Sequence, residues 1–226
     1  NQYKKPKEII DNLWSKYKPE TFEGKTKDQM ALESIHKCNF ATNIMKDVES
    51  YKSFNSSDVD RKLNAVSNQI DLYSNLRGDD KKNAYDYMRK ILYTNHGTRH
   101  EDTTASHYDD LEIDDTFYTY DVCSLEGTVY QIVGRIDRVR QNYDGTKTII
   151  EIKNRSRGLF KMVRDYEDIQ CQTYMEMMDL NTCNLIEQYN DSRMGYEIKR
   201  DRKKWLSEIR PKIIGFCEYF HSLLSK

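Results

Sequence analysis

Gly134-Arg135-Ile136-Asp137, followed fourteen residues after the aspartate by Glu151-Ile152-Lys153, gathers two acids and a lysine into one short stretch. Residues 128–141 are rich in Val, Ile and Tyr, Asn142-Tyr143-Asp144-Gly145 supplies a turn, and residues 147–152 are apolar and β-branched. That pattern predicts a hairpin with the acids on neighbouring strands. Period-two alternation puts Glu151 and Lys153 on one face of the second strand and turns Ile150 and Ile152 toward a core. Acids so crowded repel unless a divalent cation neutralises them, and carboxylate oxygens suit Mg²⁺ or Mn²⁺. A lysine beside such a centre adds a fixed positive charge, and the set suits phosphodiester hydrolysis. The same residues also describe a salt-bridged surface hairpin, because an ExK triplet is common in a chain that is 32% charged.

Two flanking motifs bear on that choice. Upstream lie Gly97-Thr98-Arg99-His100-Glu101, then Thr104 and Tyr108-Asp109; downstream lies Tyr166-Glu167-Asp168-Ile169-Gln170-Cys171-Gln172-Thr173-Tyr174-Met175. In order the chain reads GxxxE, GxxD, ExK and QxxxY. This resembles the PD-(D/E)XK nuclease superfamily, in its lambda-exonuclease, YqaJ and RecB-type branch, and is similar to exonuclease-like proteins of large DNA viruses. The resemblance covers roughly residues 90–200 and rests on the ordered conjunction. Taken singly, Glu101 reads as an exposed helical glutamate, and Gln170 with Tyr174 as a half-buried pair one helical turn apart.

The resemblance implies a role for each matched residue. Glu101 corresponds to the acid on the helix before the sheet and is counted among the metal ligands, Asp137 to the central metal ligand, Glu151 to the second ligand and Lys153 to the catalytic lysine. The main-chain carbonyl of Ile152 would complete the shell of a Mg²⁺ ion, for which Mn²⁺ would substitute. Gln170 would hold the substrate phosphate or the lysine, with Tyr174 packed beneath it. The chain departs from the family at Thr104, three residues after the first acid, where alanine is frequent.

Length and composition agree with one catalytic domain with a full core, or with one core plus a small helical appendage. With 36 Lys and Arg against 37 Asp and Glu the net charge is −1, which looks wrong for a nucleic-acid enzyme until its distribution is read. Lys153, Arg155, Arg157, Lys161 and Arg164 fall within twelve residues that contain no acid, directly after the ExK strand. Arg155, Arg157 and Lys161 are therefore candidate DNA contacts. A second basic group, Lys199 to Lys204, is broken by Asp201 and reads equally well as a solvated helix start. The five cysteines show no CxxC spacing, which argues against a zinc site, a disulfide framework or an iron-sulfur cluster. No apolar run approaches the length of a membrane span, and no secretory signal is evident. The expectation is a soluble intracellular protein without a membrane partner, with a viral protein in an infected cell among the sources the resemblance allows.

Helical spacing predicts a helical N-terminal region over residues 1–78, which would form a wall of the substrate groove, and a nuclease core over 79–226. Breaks fall near residues 19–24, 54–58 and 77–80. A helical pattern resumes from Asp80 to about Leu111. Strands are expected near 116–123, 128–134, 136–141, 147–153, 184–190 and 194–199, with a helix near 164–179. Trp205, Ile209, Ile213, Phe216, Cys217 and Phe220 mark a closing amphipathic helix. The fold class is α/β: a mixed central β-sheet flanked by helices, restriction-endonuclease-like. Tyrosines number 17, but those at strand positions, such as Tyr118, Tyr120 and Tyr130, are expected there for packing. The leading reading is a Mg²⁺-dependent nuclease acting on DNA ends in recombination, repair or replication. A structure-specific endonuclease or junction resolvase would use the same site, and a catalytically silent DNA-binding module is the alternative of another class. A homo-oligomer or a recombination partner protein is compatible with the resemblance.

Overall fold

The computed structural model describes residues 6–51 and 56–225. Its elements divide into two compact units, residues 1–96 and 97–226.

The first unit is helical: α1 (Pro6–Tyr17), α2 (Lys27–His36), α3 (Asn39–Ser50), α4 (Ser56–Tyr73) and the first part of α5 (Gly78–Ala105). Thr26 starts α2 through a capping box, its hydroxyl accepting from the Gln29 N–H while the Gln29 side chain accepts from the Thr26 N–H. Ile35, Ile44, Val48, Val59, Val66 and Ile70 are buried together with Ala84, Met88 and Leu92 of α5. This packing places the first half of α5 with the first unit. Residue 78 is only where α5 begins, and the apolar stripe of its first half is covered by the earlier helices. The expected break at 54–58 falls partly outside the described residues.

The second unit holds the sheet. Its strands are β1 (Leu111–Glu112), β2 (Tyr118–Leu125), β3 (Thr128–Gly134), β4 (Arg138–Gln141), β5 (Lys147–Asn154), β6 (Thr182–Tyr189) and β7 (Ser192–Lys199). The order β1-β4-β5-β6-β7 makes a mixed five-stranded sheet, with β5 and β6 parallel and the other pairs antiparallel. The parallel pair requires a crossover, which α6 (Asp165–Met177) provides. Cys171 and Met175 of α6 pack on Ile149, Val139, Leu185 and Ile198 on one face of the sheet. Ala105, at the end of α5, packs with Ile150, Ile152 and Ile186 on the other.

The predicted hairpin is β4–β5, with Asn142 N–H bonded to Thr146 O at 2.8 Å and Gly145 at φ 82° in the turn. Its first arm is shorter than the Val- and Tyr-rich run suggests. Residues 135–137 leave the strand conformation, and β3 pairs instead with β2 in a separate two-stranded sheet. The closing helix is also interrupted. Between α7 (Arg202–Lys204) and α8 (Arg210–Leu224), residues Trp205–Ile209 form a π turn in which Arg210 N–H reaches Trp205 O. Pro211 explains the adjustment, since it cannot donate to the preceding turn. No described helix is long and apolar enough to cross a membrane.

Candidate active site

Alternation along β5 sends Ile149, Glu151 and Lys153 toward α6 and Ile150, Ile152 and Asn154 toward the end of α5. Both faces of this strand are covered, so Glu151 is 3% exposed rather than lying on a surface hairpin. A carboxylate so buried must find donors. Lys153 Nζ donates to Glu151 Oε1 at 2.5 Å and to Gln170 Oε1 at 3.0 Å. The Gln170 amide turns its other end to Glu151, Nε2 donating to Oε1 at 2.8 Å and lying 3.1 Å from the Tyr174 hydroxyl. Gln170 and Tyr174 are one turn apart on α6, so the QxxxY spacing sets both on the face that meets Glu151 and Lys153.

Asp137 sits in the bend before β4, and its Oδ2 accepts the Ile152 N–H at 2.7 Å. This bond crosses the hairpin and sets Asp137 beside the strand that carries Glu151. Arg138, 8% exposed, bridges two segments: Nη1 donates to Asp137 O at 2.6 Å, and Nη2 pairs with Asp102 of α5. Glu101, the neighbour of Asp102 in the last turns of α5, is half-buried.

Asn154 fixes that helix end against the sheet. It accepts from the Thr104 hydroxyl at 2.7 Å and donates to Gly97 O at 3.1 Å. Gly97 and Thr104 flank Glu101 by one turn on either side, so Asn154 sets its height. The threonine at position 104 therefore has a physical reason: its hydroxyl answers an asparagine at the end of β5. Asn154 and Arg138 tie these segments together, and sequence reading missed both. The only signal for either was its adjacency to Lys153 or Asp137.

Gly134 is demanded sterically. A Cβ there would stand 2.8 Å from Tyr174 Cε1, so the ring that supports Gln170 occupies the space a side chain would need. Gly134→Ala is expected to displace Tyr174 and loosen Gln170 from Lys153, at about 1 to 3 kcal/mol of stability. Thermal denaturation and single-turnover cleavage should both register the loss.

Arg155, expected to face phosphate, is turned inward. Its guanidinium lies 2.7 Å from Glu167 Oε1 and 2.9 Å from Glu187 Oε2, two carboxylates that are fully buried. Buried acids need a paired cation, and Arg155 is that cation. Arg157 and Lys161 are exposed on the segment that follows β5.

The sequence model of the PD-(D/E)XK nuclease superfamily matches residues 31–211. The chain belongs to this superfamily. Similar solved structures include SSO0001, at 16% identity over 80% of this chain and 85% of that one, with a TM-score of 0.44. LHK-Exo in complex with dAMP matches at 14% identity over 80% and 87%, also with a TM-score of 0.44. An alkaline exonuclease, LHK-Exo from Laribacter hongkongensis, matches at 13% identity over 82% and 93%, with a TM-score of 0.40. No curated protein matches the chain.

PD-(D/E)XK nucleases generally use divalent metal ions, and the residues here fit one. Glu151 Oε2 is buried and lacks a hydrogen-bond partner, an acceptor oxygen left for a cation. Burial and neighbouring acids push Glu151 up to about 7, with Lys153 opposing and Asp137 and Glu101 adding to the rise. Glu101 is also pushed to about 7, by burial first and then by Asp137. Burial likewise raises Asp137, against the Ile152 N–H and Lys153. Lys153 is held above the usual lysine range, because Glu151 and Asp137 outweigh the burial that opposes its charge. Among the described residues no three His, Cys, Asp or Glu side chains converge on one cation-sized space. A shell of two carboxylates completed by main-chain and water oxygens is what Mg²⁺ commonly takes.

These shifts fix a sign for stability against pH. A carboxyl raised from 4.5 to about 7 on folding binds more protons in the folded chain between those values. Stability contributed by Glu101 and Glu151 is then complete below about pH 4.5 and is lost as pH rises through 7. The metal-free protein should melt at a falling temperature from pH 5 to pH 8, as scanning calorimetry would record. Glu151→Gln should flatten that fall.

Proposed function

We propose that this protein is a Mg²⁺-dependent deoxyribonuclease that hydrolyses phosphodiester bonds from DNA ends, in recombination, repair or replication. The observation that carries the chemistry is the hydrogen-bonded set Glu151–Lys153–Gln170, with Asp137 tied to the same strand through Ile152 N–H. Asp137, Glu151 and the Ile152 carbonyl would hold the cation, and Glu101 would act beside it through water. When bound, a divalent cation lowers the pKa of water and offsets charge on the phosphoryl oxygens. The chain's own residues do the positioning. Lys153 keeps a proton and a positive charge where the scissile phosphate develops negative charge, and Gln170 fixes the direction of its ammonium. Tyr174 fixes Gln170 in turn.

Arg157 and Lys161 are assigned to the phosphate backbone. Their double alanine variant should weaken DNA binding for every sequence and flatten its log-log salt dependence by roughly one unit for each phosphate no longer neutralised. Arg155 is left out of that variant, because removing it would strand Glu167 and Glu187 as buried, unpaired charges.

Action from ends rests on the likeness of the four motifs to the lambda-exonuclease branch and on the mostly helical stretch of roughly ninety residues ahead of the first motif, a length of chain that could build a groove wall. The test compares end-labelled linear duplex with a covalently closed circle in Mg²⁺. Progressive shortening of the linear DNA with little attack on the circle is expected. Equal rates on both would replace the exonuclease by a structure-specific endonuclease.

A further inference from the structure

Glu187 stands opposite Lys153 across the parallel β5–β6 pair and is fully buried. Four donors converge on its two oxygens. Oε2 accepts from Arg155 Nε at 2.9 Å and from the Phe160 N–H at 2.8 Å. Oε1 accepts from the Lys161 N–H at 3.0 Å and from the Tyr196 hydroxyl at 2.8 Å. Burial works against its charge, but the Phe160 N–H, Tyr196 and Arg155 outweigh it and hold its carboxyl below the usual range. Glu167, also fully buried, takes the same arginine, and its Oε2 accepts the Arg164 N–H at 3.1 Å.

Two buried carboxylates sharing Arg155 therefore grip the backbone of residues 160–164 at three points. The grip holds an unusual conformation. Lys161 has φ 57° and Gly158 φ 139°, and a lysine persists in the left-handed region only where its surroundings determine it. The Phe160 ring lies between Arg155, 4.0 Å from its centroid, and Arg164, 4.7 Å from it. Two buried carboxylates with one cation are a costly way to close a loop, since apolar packing would do so more cheaply. The gain is that Arg157 and Lys161 leave the framework from a fixed backbone a few residues beyond Lys153.

We infer that Glu187 is a positioning residue for nucleic-acid binding, holding the β5–α6 segment so that Arg157 and Lys161 meet the phosphate backbone in a preformed arrangement. This rests on the nuclease reading of the basic segment. Binding through prearranged groups avoids the entropy of ordering them, so its loss appears in KM and not in the chemical step.

The test uses the full chain with linear duplex DNA. Glu187→Gln should raise KM about tenfold with kcat within about twofold, and should lower the salt slope of binding by roughly one unit. Amide exchange at Phe160 and Lys161 should quicken. Tyr196→Phe removes one of the four bonds without touching the charge, and should shift KM in the same direction by a smaller factor. If Glu187→Gln does not fold, Tyr196→Phe decides alone. Lys161→Ala separates the positioning role from the phosphate assignment beneath it. If it weakens binding while Glu187→Gln and Tyr196→Phe leave KM unchanged, the positioning role is overturned. If Lys161→Ala and Arg157→Ala both bind DNA as well as the parent, the assignment of the segment to phosphate fails first, and the role of Glu187 falls with it.

Discussion

Glu151→Gln and Asp137→Asn should each abolish DNA cleavage to within detection, a loss of at least about three powers of ten or ~4 kcal/mol. Each change keeps a hydrogen-bond acceptor where one is used: glutamine can still meet Lys153 and Gln170, and asparagine the Ile152 N–H. What each removes is a negative oxygen. A cation held as proposed by two carboxylates and main-chain oxygen would then lose half of the side-chain charge that binds it. Stability should not follow activity. Both acids are raised by burial in the metal-free protein, so neutralising either relieves a cost, and at pH 8 the variants should melt no lower than the parent. Titration calorimetry with Mg²⁺ and Mn²⁺ should show weakened binding in the same variants. Retained cleavage in either would remove the metal assignment.

Lys153→Ala should fold, bind the cation and lose two to four powers of ten in single-turnover rate, about 3 to 5 kcal/mol. The ammonium touches Glu151 Oε1 and Gln170 Oε1 but supplies no ligand to a cation. Its loss removes a positive charge that competes with the cation for Glu151, so affinity for the cation should hold or rise once the carboxylates are ionised. An unchanged single-turnover rate would make Lys153 a structural ion-pair partner of Glu151 and nothing more.

Strands β2 to β7, the β4–β5 hairpin and the helix α6 were legible because period-two runs, the Asn-Tyr-Asp-Gly turn and the one-turn spacing of Gln170 and Tyr174 are local signals. Glu151, Lys153, Gln170 and Tyr174 could be read from ordered motifs, and their side chains do meet. Three features were not legible. The inward turn of Arg155 depends on Glu167 and Glu187, which come together only when α6 crosses over to β6. The departure of residues 135–137 from strand geometry follows from the separate pairing of β3 with β2. The division of the chain inside α5 depends on which helices bury Ala84, Met88 and Leu92. For Arg155 and for α5 the deciding partners are distant in sequence, and pattern along the chain carries no record of them.

Cleavage of end-labelled linear duplex by the purified protein, first in EDTA and then with Mg²⁺ in excess, tests the central claim most directly. No product is expected in EDTA and a ladder of shortened strands once Mg²⁺ is added, with Lys153→Ala failing to make that ladder on the same timescale. Cleavage that proceeds undiminished in EDTA, or equally in Lys153→Ala, would contradict a metal-dependent site built on Asp137, Glu151 and Lys153.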